Sequence, residues 1–128
     1  MRRLLAATVL PLVLAACGDQ GPDAAAQYRE TVRCFNAAST YAQQFVVTGD
    51  AANAGRMQGY ANELKGTAFT LGGKLFTPKE TVSDATQGAN DAAYIHKFFS
   101  FTGGAMTLTD YGKDEIDHCH LNAALSSQ

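Results

Sequence analysis

The densest run of chemically capable side chains is Asp114-Glu115-Ile116-Asp117-His118-Cys119-His120, in which carboxylates, imidazoles and a sulfur crowd one short segment. Asp114 and His118 stand four apart, the spacing that brings two ligand side chains onto one face of a helix, so a metal site would be read from them first. The same spacing serves an ordinary surface ion pair. A histidine near a helix C-terminus is also favoured by the helix dipole, by about 0.3–1 kcal/mol. On their predicted helices His118 points outward, whereas His96 and His120 lie on inward borders. For His96 and His120 to hold one metal or haem they must share a level in a bundle. Their distances from the connecting turn differ by roughly 10 Å at about 1.5 Å per residue. The Cys-x-x-Cys-His attachment of covalent haem is absent, as are the Gly-x-Ser-x-Gly elbow and a glycine loop followed by Lys-Ser/Thr. The residues thus read as non-catalytic, with no cofactor. The alternative is a periplasmic metal- or haem-binding bundle using His96, His118 or His120.

The front of the chain sets the compartment. Arg2 and Arg3 precede an apolar run from Leu4 to Ala16, which is shorter than the roughly 20 residues a permanent span needs and has the form of an export signal. Ala15-Ala16-Cys17 closes the run. This order of charge, apolar run, small residues and cysteine resembles the lipobox of bacterial lipoproteins. The resemblance covers the first 17 residues only. It implies cleavage before Cys17, diacylglycerol on the Cys17 sulfur and acylation of the new amine, and so makes Cys17 an anchor. Two or three acyl chains, at about 0.8 kcal/mol per buried methylene, hold a small domain on a membrane almost irreversibly. Gly18, where enterobacterial lipoproteins retained in the inner membrane tend to carry Asp, favours the outer membrane by the same analogy. The tether from Gly18 to Pro22 spans at most about 18 Å at roughly 3.5 Å per residue. The expected organisation is therefore a signal peptide over 1–16, a lipidated Cys17 and short tether over 17–22, and one helical domain over 23–128.

Without residues 1–16 the chain keeps eight basic against twelve acidic side chains. A mildly acidic body lacks the clustered Lys and Arg that phosphate contacts need, which argues against nucleic acid. The expected partners are the membrane, through the anchor, and an envelope protein or a second copy of the chain. Outside the cytoplasm Cys34 and Cys119 can oxidise. Their wide spacing resembles neither a Cys-x-x-Cys redox pair nor a zinc pattern, so the expectation is a structural disulfide, contributing about 4 kcal/mol by loop entropy.

Richness in alanine, absence of tryptophan and only three prolines favour helices. From Asp23 to Val47, Tyr28, Val32, Phe35, Ala42 and Val46 form one stripe and Cys34, Ala38, Tyr41 and Phe45 a second beside it, with Arg29, Arg33, Asn36, Thr40 and Gln43 on the far side. Thr48-Gly49-Asp50 reads as a stop and a new start. A second helix, from about Ala51 to Leu71, carries Met57, Ala61, Leu64, Ala68 and Leu71. Gly55 and Gly59, four apart, are expected to admit close packing of another helix, and Gly72-Gly73 ends the segment. Thr77-Pro78-Lys79-Glu80 has the order of a capping box and predicts a third helix, with Ala85, Ala92, Ile95 and Phe99 inward and Val82 and Ala89 at the border. On its opposite side the residues change from Glu80, Ser83, Gln87 and Asp91 to Tyr94, Phe98 and Phe101. Either Ala105, Met106 and Leu108 fold back over these aromatics after Gly103-Gly104, or they form a docking patch for a partner. A fourth helix is expected from Thr107 or Thr109 to about Leu125, with Ala105, Gly112, Ile116, Cys119 and Ala123 inward. The predicted fold is all-α, an up-down four-helix bundle with one disulfide, and the predicted function is that of a lipid-anchored, non-catalytic binding module of the cell envelope.

Overall fold

The computed structural model describes residues 22–77, 79, 80 and 90–126. The chain is mostly helical. The expected signal segment, Cys17, Pro78, Val82, Ser83, Ala85, Gln87 and Ala89 lie outside the described residues.

Two long helices form the frame. Helix α1 spans Pro22–Thr48 and helix α2 spans Ala51–Gly72. No glycine or proline interrupts α1 between Asp23 and Thr48, and its alanine-rich sequence runs as one unbroken helix. Gly49 takes a positive φ of 82°, and Asp50 follows as the N-cap of α2, its carboxylate accepting from the Asn53 N–H at 3.1 Å. A left-handed glycine followed by an aspartate cap reverses the chain in two residues, and α1 and α2 pack together more extensively than any other pair of elements.

Between Cys34 and Ala42 the buried face of α1 is wide, taking in Phe35, Ala37, Ala38, Thr40 and Tyr41 as well. The helix is covered on two sides there, which is why Thr40, expected on the far side, is fully buried. Val46 makes the opposite departure. It is 68% exposed, near the C-terminal end of α1. Met57, Ala61 and Ala68 form the buried line of α2. Gly55 and Gly59 are a correction: both are exposed, and a Cβ added at either would meet nothing within 4 Å.

After α2, Phe76 folds back onto Tyr28 with ring centroids 5.2 Å apart. Thr77 and Glu80 then close the capping box reciprocally. The Thr77 N–H donates to the Glu80 carboxylate at 3.0 Å and the Glu80 N–H donates to the Thr77 hydroxyl at 3.3 Å. The Thr77 hydroxyl bond, and after it the backbone bond, holds the Glu80 carboxyl below its usual range.

The second half departs from the predicted bundle. Helix α3 spans only Ala92–Phe98, and strands β1 (Phe99–Thr102) and β2 (Ala105–Leu108) follow as an antiparallel hairpin. The register pairs Phe99 with Leu108 and Phe101 with Met106. Gly103 and Gly104, at φ 58° and 81°, make the two-residue turn whose positive φ angles match the strand twist. Helix α4 (Asp110–His118) and helix α5 (Leu121–Ser126) replace the single last helix, separated at Cys119-His120, where His120 has φ 55°. That break shifts the helical phase. Gly112, Ile116 and Cys119 are buried as expected, but Leu121 is buried where Ala123 was expected.

Phe98, Phe99, Met57 and Leu121 are the large side chains sealed from solvent, and with Phe35, Ala38, Ala61 and Ile116 they make the core where the two halves meet. Among the described residues no helix is long and apolar enough to cross a membrane.

Candidate functional site

The site is built where α4 lies against the first half of α1. Three links run between them: Glu30 with His118 and Arg33 with Glu115, which step in antiparallel order, and Cys34 with Cys119, which joins the end of α4 to α1 outside that order. The Cys34 and Cys119 sulfurs lie at bonding distance, 2.06 Å, with their Cα atoms 5.5 Å apart. Cys119 caps the C-terminal end of α4, its N–H donating to the Glu115 carbonyl at 3.0 Å, so its sulfur leaves from the same face as Ile116.

Glu115 is 2% exposed, a burial that an isolated carboxylate does not tolerate. Arg33 resolves it with a forked contact, Nε to Oε1 at 3.1 Å and Nη2 to Oε2 at 2.5 Å. That hydrogen bond, and then the attraction of the Glu115 charge, raises the Arg33 guanidinium further above its already high range. Nearby, burial pushes the Tyr94 phenol well above the usual tyrosine range, and Tyr111 shifts the same way for the same reason.

Beside these links opens a groove of about 580 Å³. The Cys34–Cys119 pair lies on its wall, Glu30 and Thr31 come from α1, and His118, Asp117 and His120 from the end of α4 and the kink. Tyr60 and Leu64 of α2 supply its apolar side. The His118 imidazole Nε2 contacts the Glu30 carboxylate, with both side chains roughly half exposed. The Thr31 hydroxyl donates to the Gln27 carbonyl of its own helix at 2.7 Å, so it is not poised against His118 as a nucleophile. Carboxylates, imidazoles and an apolar edge suit the groove to a cation or a donor-rich surface.

The residues singled out from sequence fare unequally. His118 takes Glu30 as its partner, not Asp114, because α4 lays its end across α1. His120 lines the same groove, whereas His96 sits on α3 with its ring 5.2 Å from Phe101. The proposed aromatic patch does not exist as one surface. Phe98 is sealed in the core and Tyr94 is half-buried against it, their rings 5.9 Å apart. Phe101, 51% exposed, belongs to a strand. The physical cause is the end of α3 at Phe98, after which side chains alternate with the strand and no longer follow a helix face. Arg33, expected on the far side of its helix, and Glu30, which no local pattern marks, find partners more than 80 residues away.

No protein-family model, no curated protein and no solved structure matches this chain.

Proposed function

We propose that the chain is an exported helical domain, an up-down bundle in outline with a β-hairpin inserted, held on the periplasmic face of a membrane, the outer one favoured, by lipid on Cys17. In this reading it acts as a non-catalytic binding module and presents the groove beside Glu30 and His118 to an envelope partner. The observation that carries the reading is the Cys34–Cys119 pair at bonding distance, since such a bond persists outside the reducing cytoplasm. The lipobox-like Ala15-Ala16-Cys17 supplies the export route and the anchor. Because α1 begins at Pro22, the tether is short and the groove operates within tens of ångströms of the lipid surface. Fractionation of cells carrying Cys17→Ser tests this. The variant is expected in the soluble or unprocessed fraction with its helicity unchanged, and a variant still held to the membrane through lipid contradicts the proposal.

A further inference from the structure

We propose that opening the Cys34–Cys119 bond turns the wall of this groove into a four-ligand site for a zinc-class divalent cation, with Cys34, Cys119, His118 and Glu30 as ligands. The inference uses the groove but not the lipid anchor. Its basis is convergence: the ligand atoms of Glu30, Cys34 and His118 all lie within 4.8 Å of one another, and Cys119 is the sulfur bonded to Cys34.

Tetrahedral zinc with arms of about 2.3 Å to sulfur and about 2.0–2.1 Å to nitrogen and oxygen has ligand-to-ligand edges of roughly 3.3–3.8 Å. The Glu30 Oε2 to Cys34 Sγ distance is already 3.7 Å, an edge of that size. A bonded sulfur has no proton to donate, so this approach is a contact and not a hydrogen bond. Three adjustments remain: the sulfurs separate to about 3.8 Å once unbonded, the Cys119 sulfur, which stands outside the 4.8 Å cluster, swings in toward Glu30 and His118, and the Glu30–His118 contact widens to its edge length. All three are side-chain movements at the mouth of a groove that reaches both sulfurs. Two thiolates and one carboxylate around a divalent ion leave one excess negative charge, and Arg33, whose Nη1 stands 3.9 Å from Glu30, is placed to offset it.

The chemistry balances with a dithiol reductant as the co-reactant. Thiol–disulfide exchange passes two electrons to the Cys34–Cys119 bond, the reductant becomes a disulfide, and each cysteine gains a hydrogen. The cation then displaces the two thiol protons without changing its own oxidation state. With the bond closed, only Glu30 and His118 remain as strong donors of the set.

The test uses the full chain carrying Cys17→Ser, so that no third thiol competes and the anchor plays no part. A phosphine-reduced sample and an untreated one are titrated anaerobically with Co²⁺, which reports tetrahedral thiolate ligation by its spectrum, and bound Co²⁺ is then displaced with Zn²⁺. The reduced chain should bind one ion with a thiolate charge-transfer band, at least about 100-fold tighter than the oxidised chain, which lacks the band. His118→Ala and Glu30→Ala should each weaken reduced-state binding about 10-fold or more while keeping the band. Equal affinity in the two redox states overturns the proposal, as does binding that neither substitution affects. If reduction alone lowers helicity, recovery with one equivalent of Zn²⁺ supports the site, and failure to recover overturns it. A chain found without lipid in its native cell leaves all of these results unchanged.

Discussion

Between Gly49 and Asp50 the chain reverses within two residues, and α1 and α2 then lie against each other over long stretches. From Asp91 to Ser126, by contrast, no helix or strand exceeds nine residues, and each is fixed by contacts outside itself. The first region is stabilised by a repeated apolar stripe and a local turn, interactions distributed over many positions. The second depends on a few specific contacts. The Thr109 N–H donates to the Phe98 carbonyl at 3.0 Å while its hydroxyl donates to the Lys97 carbonyl and accepts from the Gly112 N–H. Gly112 admits the Phe98 carbonyl so closely that an added Cβ would stand 2.4 Å from it. Tyr41 reaches Asn122 of α5 at 2.9 Å, and the disulfide and the Arg33–Glu115 pair tie α4 to α1. Distributed packing tolerates single changes. Concentrated contacts do not, and the groove stands where the two regions meet.

The difference can be broken most forcefully at the disulfide. Replacing Cys34 and Cys119 together with alanine releases a loop of 85 residues' separation. By loop entropy this should cost about 4–5 kcal/mol in chemical denaturation. The loss should fall on the second region, so hydrogen exchange should rise in α4 and α5 before it rises in α2. Next comes Gly112→Ala. Its methyl meets backbone, which cannot turn away, and the expected destabilisation is about 3 kcal/mol or more, at the upper end for overpacking. A thermal melt unchanged by this substitution would show that α3 and α4 are not in close contact.

Alkali sharpens the comparison from another side. The folded chain holds Tyr94 protonated above the pH at which an unfolded tyrosine ionises, about 10. Its contribution is therefore complete below that pH and is lost as pH rises beyond it, at up to about 1.4 kcal/mol per pH unit. Tyr111 and Tyr41, also raised by burial, act in the same direction. Denaturation midpoints measured between neutral and strongly alkaline pH should fall only in the alkaline limb, with tyrosinate absorbance appearing together with unfolding. The smallest effect belongs to the first region and has the opposite sign. Gly59→Ala, on an exposed helical position with open space around it, should stabilise by up to about 1 kcal/mol.

The same contrast explains how far the amino-acid sequence could be read. Helix α1, the Gly49-Asp50 reversal, the end of α2 at Gly72 and the Thr77–Glu80 capping box were all legible, because each rests on periodicity or on hydrogen bonds spanning a few residues. The β-hairpin left a legible mark too: Phe99-Ser100-Phe101-Thr102 and Ala105-Met106-Thr107-Leu108 alternate around Gly103-Gly104. Taken at helical period the same residues align Tyr94, Phe98 and Phe101, a face that the end of α3 at Phe98 abolishes. The pairs at the groove were illegible for a different reason. Nothing local distinguishes Glu30 or Arg33 from a solvated charge, and only the tertiary crossing of α4 over α1 gives them partners. The two cysteines could be paired from sequence because, on the expectation that Cys17 serves as an anchor of an exported chain, each has a single candidate.

The most direct test of the account is mass spectrometry of the protein extracted from its native cell without reductant. The expected chain begins at Cys17 with a diacylglyceryl group on it, and its digest yields the Cys34 and Cys119 peptides joined. A chain that still begins at Met1, carries no acyl group and holds both thiols free would contradict it.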